Sequence, residues 1–129
     1  MKLFNWLKKD KEPEKDRKNY SWKIMESISE IEDIIKSSED KLSVIFKHSP
    51  RCGVSRMALN AFERNLQVEE EEVELFFVDV VNQREISTEM AHQFQVQHES
   101  PQLLLIKSGK CVHHGSHHQI SAEIIKDFI

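Results

Sequence analysis

Only two cysteines, Cys52 and Cys111, occur in the 129 residues, too few to build the dense disulfide framework of a small secreted domain. The N-terminus lacks an apolar signal-peptide core, and no apolar run approaches the roughly 20 residues that cross a bilayer. The longest runs, Leu75 to Val81 and Leu103 to Ile106, have the length of strands. A soluble chain in a reducing cytoplasm is the expectation. A basic stripe is missing too. Eighteen Lys and Arg stand against 22 Asp and Glu, the net charge is -4 and the signs are interspersed, which argues against nucleic acid as a partner. The length suits one compact domain.

Residues 1–19 read as an extension. Leu3, Phe4, Trp6 and Leu7 form a small apolar head, followed by a charged stretch with the composition of a solvated linker. Its apolar face is too small to favour membrane contact by residues 1–9, so packing on the domain or disorder is expected. The domain is expected over residues 20–129.

Ile28, Ile31, Ile34 and Ile35 recur at helical spacing, and Ser27 stands three before Glu30 as a capping box, predicting a helix over 27–37. "KLSVIFKH", residues 41–48, reads as a buried strand that ends at the turn holding Pro50 and Cys52. From Cys52 the spacing of Val54, Ala58, Ala61, Phe62 and Leu66 is helical again, which places Cys52 at or near a helix N-terminus. The acidic stretch Glu69 to Glu72 is a solvated turn, and "VELFFVDV" behind it is an interior strand. Asn82 with Glu85 caps a helix carrying Ile86, Met90 and Phe94. "QLLLIKSGKCVHHG" gives two strands around a Ser108-Gly109 turn, and "ISAEIIKDFI" closes as a helix. Strands joined through helices are parallel and the 108–109 hairpin is antiparallel. The fold class is therefore α/β, a mixed central sheet of about four strands flanked by helices, in a thioredoxin-like layout.

A thiolate, not a thiol, is the nucleophile in sulfur chemistry. A helix start offers partial positive charge and unpaired N–H groups, and Arg51, Lys47 and Arg56 lie close by in sequence. Cys52 is therefore expected to be a reactive thiol, held as an anion by Arg51 and by the helix start at Gly53. Ser55 occupies the place of the resolving cysteine in a C-x-x-C pair. Its hydroxyl can donate to the thiolate or satisfy a first-turn amide, but it cannot form a disulfide. A mixed disulfide on Cys52 must wait for an outside thiol, so the chemistry is monothiol. The plainer reading of Cys52 is a small buried hydrophobe. Cys111, in mid-strand with no helix end beside it, reads as a packing residue. His48, four before Cys52, is either a pH-sensitive neighbour of the thiolate or a cap on the strand end.

"VIFKHSPRC", "HESPQLLLIKSGKCV" and "SHHQIS" together resemble the monothiol bacilliredoxin (YtxJ) family of bacillithiol-using Firmicutes, within the thioredoxin-like superfamily; the likeness covers most of residues 20–129. The resemblance implies a de-bacillithiolating oxidoreductase. Cys52 would attack the sulfur of bacillithiol in a protein mixed disulfide and carry that thiol until another removes it, with bacillithiol as co-substrate, bacillithiolated proteins as partners and no tightly bound cofactor. It also implies a cis Ser100-Pro101 bond beside the thiol, where an incoming chain is held extended. The family typically carries Cys-Pro-Ile-Ser, whereas this chain has Cys52-Gly53-Val54-Ser55. That change brings the sequence within one residue of the Cys-Gly-Phe-Ser signature of monothiol glutaredoxins, for which an iron-sulfur cluster carrier is the implied function. A binding module with an inert cysteine is a third reading.

"HHGSHH", residues 113–118, offers four imidazoles. Strand alternation sends His113 and His114 to opposite faces, and no carboxylate or cysteine stands at ligand spacing beside them, so no metal site is expected.

Overall fold

A computed structural model of the chain describes residues 20–129. The extension read over residues 1–19, with its apolar head, lies outside the described residues.

β1 (Lys23–Ile24) leads into helix α1 (Glu30–Ser37), strand β2 (Leu42–His48), helix α2 (Gly53–Asn65), strand β3 (Val73–Asp79), helix α3 (Arg84–Phe94) and the hairpin of β4 (Gln102–Lys107) and β5 (Lys110–Ser116). The sheet has five strands in the order β1-β3-β2-β4-β5, one more than the four or so expected. β1 is the addition. It pairs parallel to β3 through Lys23 and Ile24 alone, a stretch too short to carry any periodicity. β2 and β3 are parallel, and β2 and β4 antiparallel. The sheet is mixed.

β2 is buried along its whole length, and alternation divides its side chains between two cores. Ile45 joins Phe76, Val78, Leu104 and Ile106 under Ile31 and Ile34 of α1 and Ile86, Met90 and Phe94 of α3. Val44 and Phe46 join Leu103 and Leu105 under Phe62 of α2, with Leu66, Ala122 and Ile125. The apolar repeats of the helices exist because each must cover one face of this sheet. Helices on both faces leave the C-terminal end of β2 open, and there the chain turns into α2.

Three ends differ from expectation. α1 begins at Glu30 rather than at 27, because an i→i+3 turn comes first: the Glu30 and Ile31 amides donate to the carbonyls of Ser27 and Ile28. Glu30 still reaches back, to the Glu26 amide at 2.8 Å. Asn82 does not cap α3. Its side chain and amide bond to the Asp79 carboxylate, and Gln83 is the N-cap. The closing helix read over "ISAEIIKDFI" is a short 3-10 piece, Glu123–Asp127, since so short a segment gains little from helix propagation and is shaped by burying Ala122 and Ile125.

The hairpin turn is tied to α1. Ser108 and Gly109 take positive φ of 51° and 77°, and their amides donate to the carbonyl and hydroxyl of Ser38 at 2.9 and 2.8 Å.

Gly115, near the end of β5, has a different constraint. A Cβ there would sit 2.9 Å from the Gln119 carbonyl oxygen. Gly115→Ala should therefore destabilise the fold by about 1–3 kcal/mol, the usual size of an overpacking strain, as read from urea unfolding. An unchanged midpoint would mean that the His117–Gln119 turn yields freely.

Candidate functional site

The turn between β2 and α2 sets the site. The Cys52 amide donates to the Ser49 carbonyl at 3.1 Å, and the Cys52 carbonyl accepts from the Arg56 amide at 3.1 Å. Between these bonds Cys52 takes extended angles, φ -103° and ψ 121°, as the N-cap of α2. Its sulfur makes no capping bond to the first-turn amides, and the residue is partly exposed. The partial positive charge of the helix start is thus available to a sulfur anion.

The neighbouring predicted residues fall in different places. Arg51 is exposed on the turn. The Arg56 guanidinium donates to the Pro50 carbonyl at 3.2 Å, closing the turn. Gly53 opens the helix, and a Cβ on it would meet nothing nearer than 3.9 Å, so geometry here does not require glycine. Lys47 does not belong to this group. It is fully buried on the opposite face of the sheet, where its Nζ donates to the Ser87 carbonyl of α3 at 3.0 Å. Burial pushes its pKa from 10.5 down to about 8.

Ser55, the third residue of α2, is fully buried. Its hydroxyl oxygen accepts the Ser49 amide proton at 3.0 Å and lies 2.8 Å from Nδ1 of His48. His48, read from the sequence as a pH-sensitive neighbour of the thiolate or a cap on the strand end, has the Ser55 hydroxyl as its hydrogen-bond partner. Its ring, the last of β2, packs 5.4 Å from the Phe77 ring and meets the Ser55 hydroxyl. Burial holds its pKa below the ordinary histidine value; Asp79 draws it up, Arg56 down and Glu63 up. Asp79 is itself held low by the amides of Asn82 and Val81 and by the Asn82 side chain, against the opposing effect of burial. The link from His48 to Ser55 spans seven positions across a strand end and a helix start, which no single-element periodicity displays. The hint was that β2 runs straight into α2.

Ser100-Pro101 is a cis peptide. Pro101 is buried immediately before β4, and β4 pairs with β2 through Gln102 opposite Lys47, so the proline loop lies beside the strand end from which the Cys52 turn leaves. The Ser100 hydroxyl is covered and has no hydrogen-bond partner among the described residues. Gln102 holds the loop, donating to the Gln97 carbonyl at 2.9 Å, while Ser116 bonds the Glu99 carboxylate. His98, unnoticed in the sequence, bonds the Ser87 hydroxyl through Nδ1 at 2.9 Å.

Cys111 packs against the α1/α3 core. Burial raises its thiol pKa, and its sulfur donates to the His113 carbonyl at 3.3 Å. Of the histidine run, His113 leans on the Phe128 ring at 5.8 Å, whereas His114, His117 and His118 are exposed. No helix among the described residues is long and apolar enough to cross a membrane.

Comparison with known proteins agrees with this geometry. The family model described as monothiol bacilliredoxin BrxC matches residues 23–125. A solved structure named, provisionally, an oxidoreductase with a thioredoxin fold is 27% identical, with a TM-score of 0.69 over 81% of this chain and 89% of its own. Thioredoxin of Fasciola hepatica is 24% identical, with a TM-score of 0.59 over 83% and 95%. That of Malassezia sympodialis is 17% identical, with a TM-score of 0.62 over 85% and 89%. The two thioredoxins share the fold alone.

Proposed function

The chain belongs to the monothiol bacilliredoxin family, and from that premise we propose that it removes bacillithiol from protein mixed disulfides through Cys52. The observation that carries the reading is a partly exposed cysteine as N-cap of α2 with a serine, not a second cysteine, at the third helical position. The Cys52 thiolate attacks the bacillithiol sulfur. A new disulfide forms between Cys52 and bacillithiol, the client's sulfur–sulfur bond breaks, and the client sulfur leaves as a thiolate that takes its proton from water. Ser55 offers no sulfur to complete an internal disulfide, so a second thiolate from outside attacks the carried bacillithiol and releases Cys52 as an anion. Arg51 and the amides that open at Gly53 favour that anion at both steps. The Ser100-Pro101 loop holds the client chain in extended form next to the sulfur, and Val54 and Met57, exposed on the first turns of α2, give it apolar contact.

The setting is a cytoplasm containing bacillithiol. The test uses one client protein loaded on the same cysteine with bacillithiol or with glutathione, and follows each modification by mass. The bacillithiol adduct is expected to disappear faster. Removal of glutathione at an equal rate would reject the substrate assignment, and removal of neither would reject the activity.

A further inference from the structure

β2, β4 and β5 meet in a row at one end of the sheet. Lys47 pairs with Gln102, and Gln102 with Ser116, so three connections gather there: the Cys52 turn after β2, the Ser100-Pro101 loop before β4, and the residues that follow Ser116. The third begins with His117. Its φ of 54° is left-handed, a conformation that costs a residue bearing a Cβ and that recurs at binding and active sites.

That conformation fastens His117 to the proline loop. Its amide donates to the Pro101 carbonyl at 3.1 Å, and its carbonyl accepts the Ile120 amide at 3.3 Å. The 3-10 turn it opens, His117–Gln119, packs against α2, the helix that Cys52 caps. The backbone is therefore held between the proline loop and α2, while the ring is left over. It is exposed and makes no hydrogen bond or ring contact among the described residues. The earlier histidines of the run stand elsewhere: His113 rests on the Phe128 ring, and His114 lies back along β5, opposite Leu104.

We propose that His117 is a substrate-binding residue, its imidazole donating a hydrogen bond to a carboxylate of the small thiol carried on Cys52. An imidazole has an N–H to give in either protonation state. Arg51, exposed on the Cys52 turn, brings a permanent cation and stands across the proline loop from His117, since β4 lies between β2 and β5. Glu99, the acidic residue of that loop, has its carboxylate on the Ser116 hydroxyl. A thiol that bears carboxylates, as bacillithiol does, meets a donor at each end of this cleft.

The inference deepens the reading of Cys52 as the carrier of a small thiol and rests on it, but its test uses neither bacillithiol nor a client. The protein is equilibrated with oxidised glutathione, or with its ethyl ester in which every carboxylate is blocked. The Cys52 thiolate attacks one sulfur of the symmetrical disulfide. A Cys52–glutathione disulfide forms, the old sulfur–sulfur bond breaks, and one glutathione leaves as a thiolate that takes a proton from water. The equilibrium constant is read by mass on the peptide that holds Cys52. His117→Gly removes the ring and suits the left-handed backbone, so the fold is kept. It should lower the constant for glutathione about three- to tenfold, the net worth of one hydrogen bond, and leave that for the ester where it was. His114→Ala, which deletes another exposed imidazole of the same run, should change neither.

Constants for glutathione that are equal in wild type and His117→Gly would overturn the proposal, as would a fall of the same size with the ester or in His114→Ala. No adduct on Cys52 with either disulfide would overturn it together with the choice of reacting thiol. The expected equilibria beside a client that keeps its bacillithiol would count against the bacillithiol assignment alone.

Discussion

Replacing Cys52 with serine is expected to reduce exchange to the rate seen without protein. A serine hydroxyl does not ionise near neutral pH, so the helix start has no anion to favour and the attacking atom is gone. No neighbour can substitute. The other thiol of the chain, Cys111, lies on β5 with its pKa raised by burial and its sulfur bonded to the His113 carbonyl. Its thiolate is scarcer than that of an ordinary cysteine. Cys111→Ser should therefore leave the rate unchanged. Following the mass of a client that carries a small-thiol adduct checks both. Residual exchange by Cys52→Ser, or loss of exchange in Cys111→Ser, would move the chemistry to β5.

The second large effect concerns stability. Lys47 is fully buried in the central strand, and its hydrogen bond there is to the Ser87 carbonyl. Below about pH 8 both the folded and the unfolded chain carry the ammonium, and folding bears the cost of burying it. Between about 8 and 10.5 the folded chain has released the proton while the unfolded chain still holds it, so stability rises with pH; above 10.5 the gain is complete. At about 1.4 kcal/mol per pH unit, the span from 10.5 to about 8 corresponds to a gain of about 3 kcal/mol. Lys47→Met, of similar length and uncharged, should be more stable near pH 7 by up to that amount and should lose the alkaline rise. Urea unfolding of both chains across this range isolates the lysine, because other groups that titrate there cancel in the difference. Parallel curves would show that the amine is uncharged or hydrated at pH 7.

Lys47 also shows where sequence reading loses force. Counted along the chain it stands five before Cys52 and looks like a cation beside the thiol. A strand reverses its side chains at each step, so Lys47 points to α3 and His48 to α2. Alternation could have separated them; proximity in sequence concealed it. Elements with strong patterns were legible: Ile31 and Ile34 mark α1, the continuous run from Leu42 marks a strand buried on both faces, and Ser108-Gly109 marks the hairpin. β1 was not, because pairing to β3 is all that makes Lys23 and Ile24 a strand. The end of the chain was misjudged because its apolar spacing suits a helix, while the bonds it makes are i→i+3. At the site, the position of Cys52 at the start of α2 followed from periodicity. The Ser55 hydroxyl was read from spacing as a donor to the thiolate or a partner of a first-turn amide, whereas the bonds it makes are to the Ser49 amide and to His48 Nδ1 at the strand end.

The tether between Ser38 and the 108–109 turn bears on how this protein can be handled. Hairpin tips are usually spare, and chains can be opened, extended or tagged there at little cost. This tip instead gives two N–H donors to Ser38, the residue that caps α1, one of them across 71 residues of sequence. A peptide spliced into it would unfasten the first helix from the sheet as well as lengthen a loop. For fusion partners and probes, the far end of the molecule from the thiol is the wrong place to look for room.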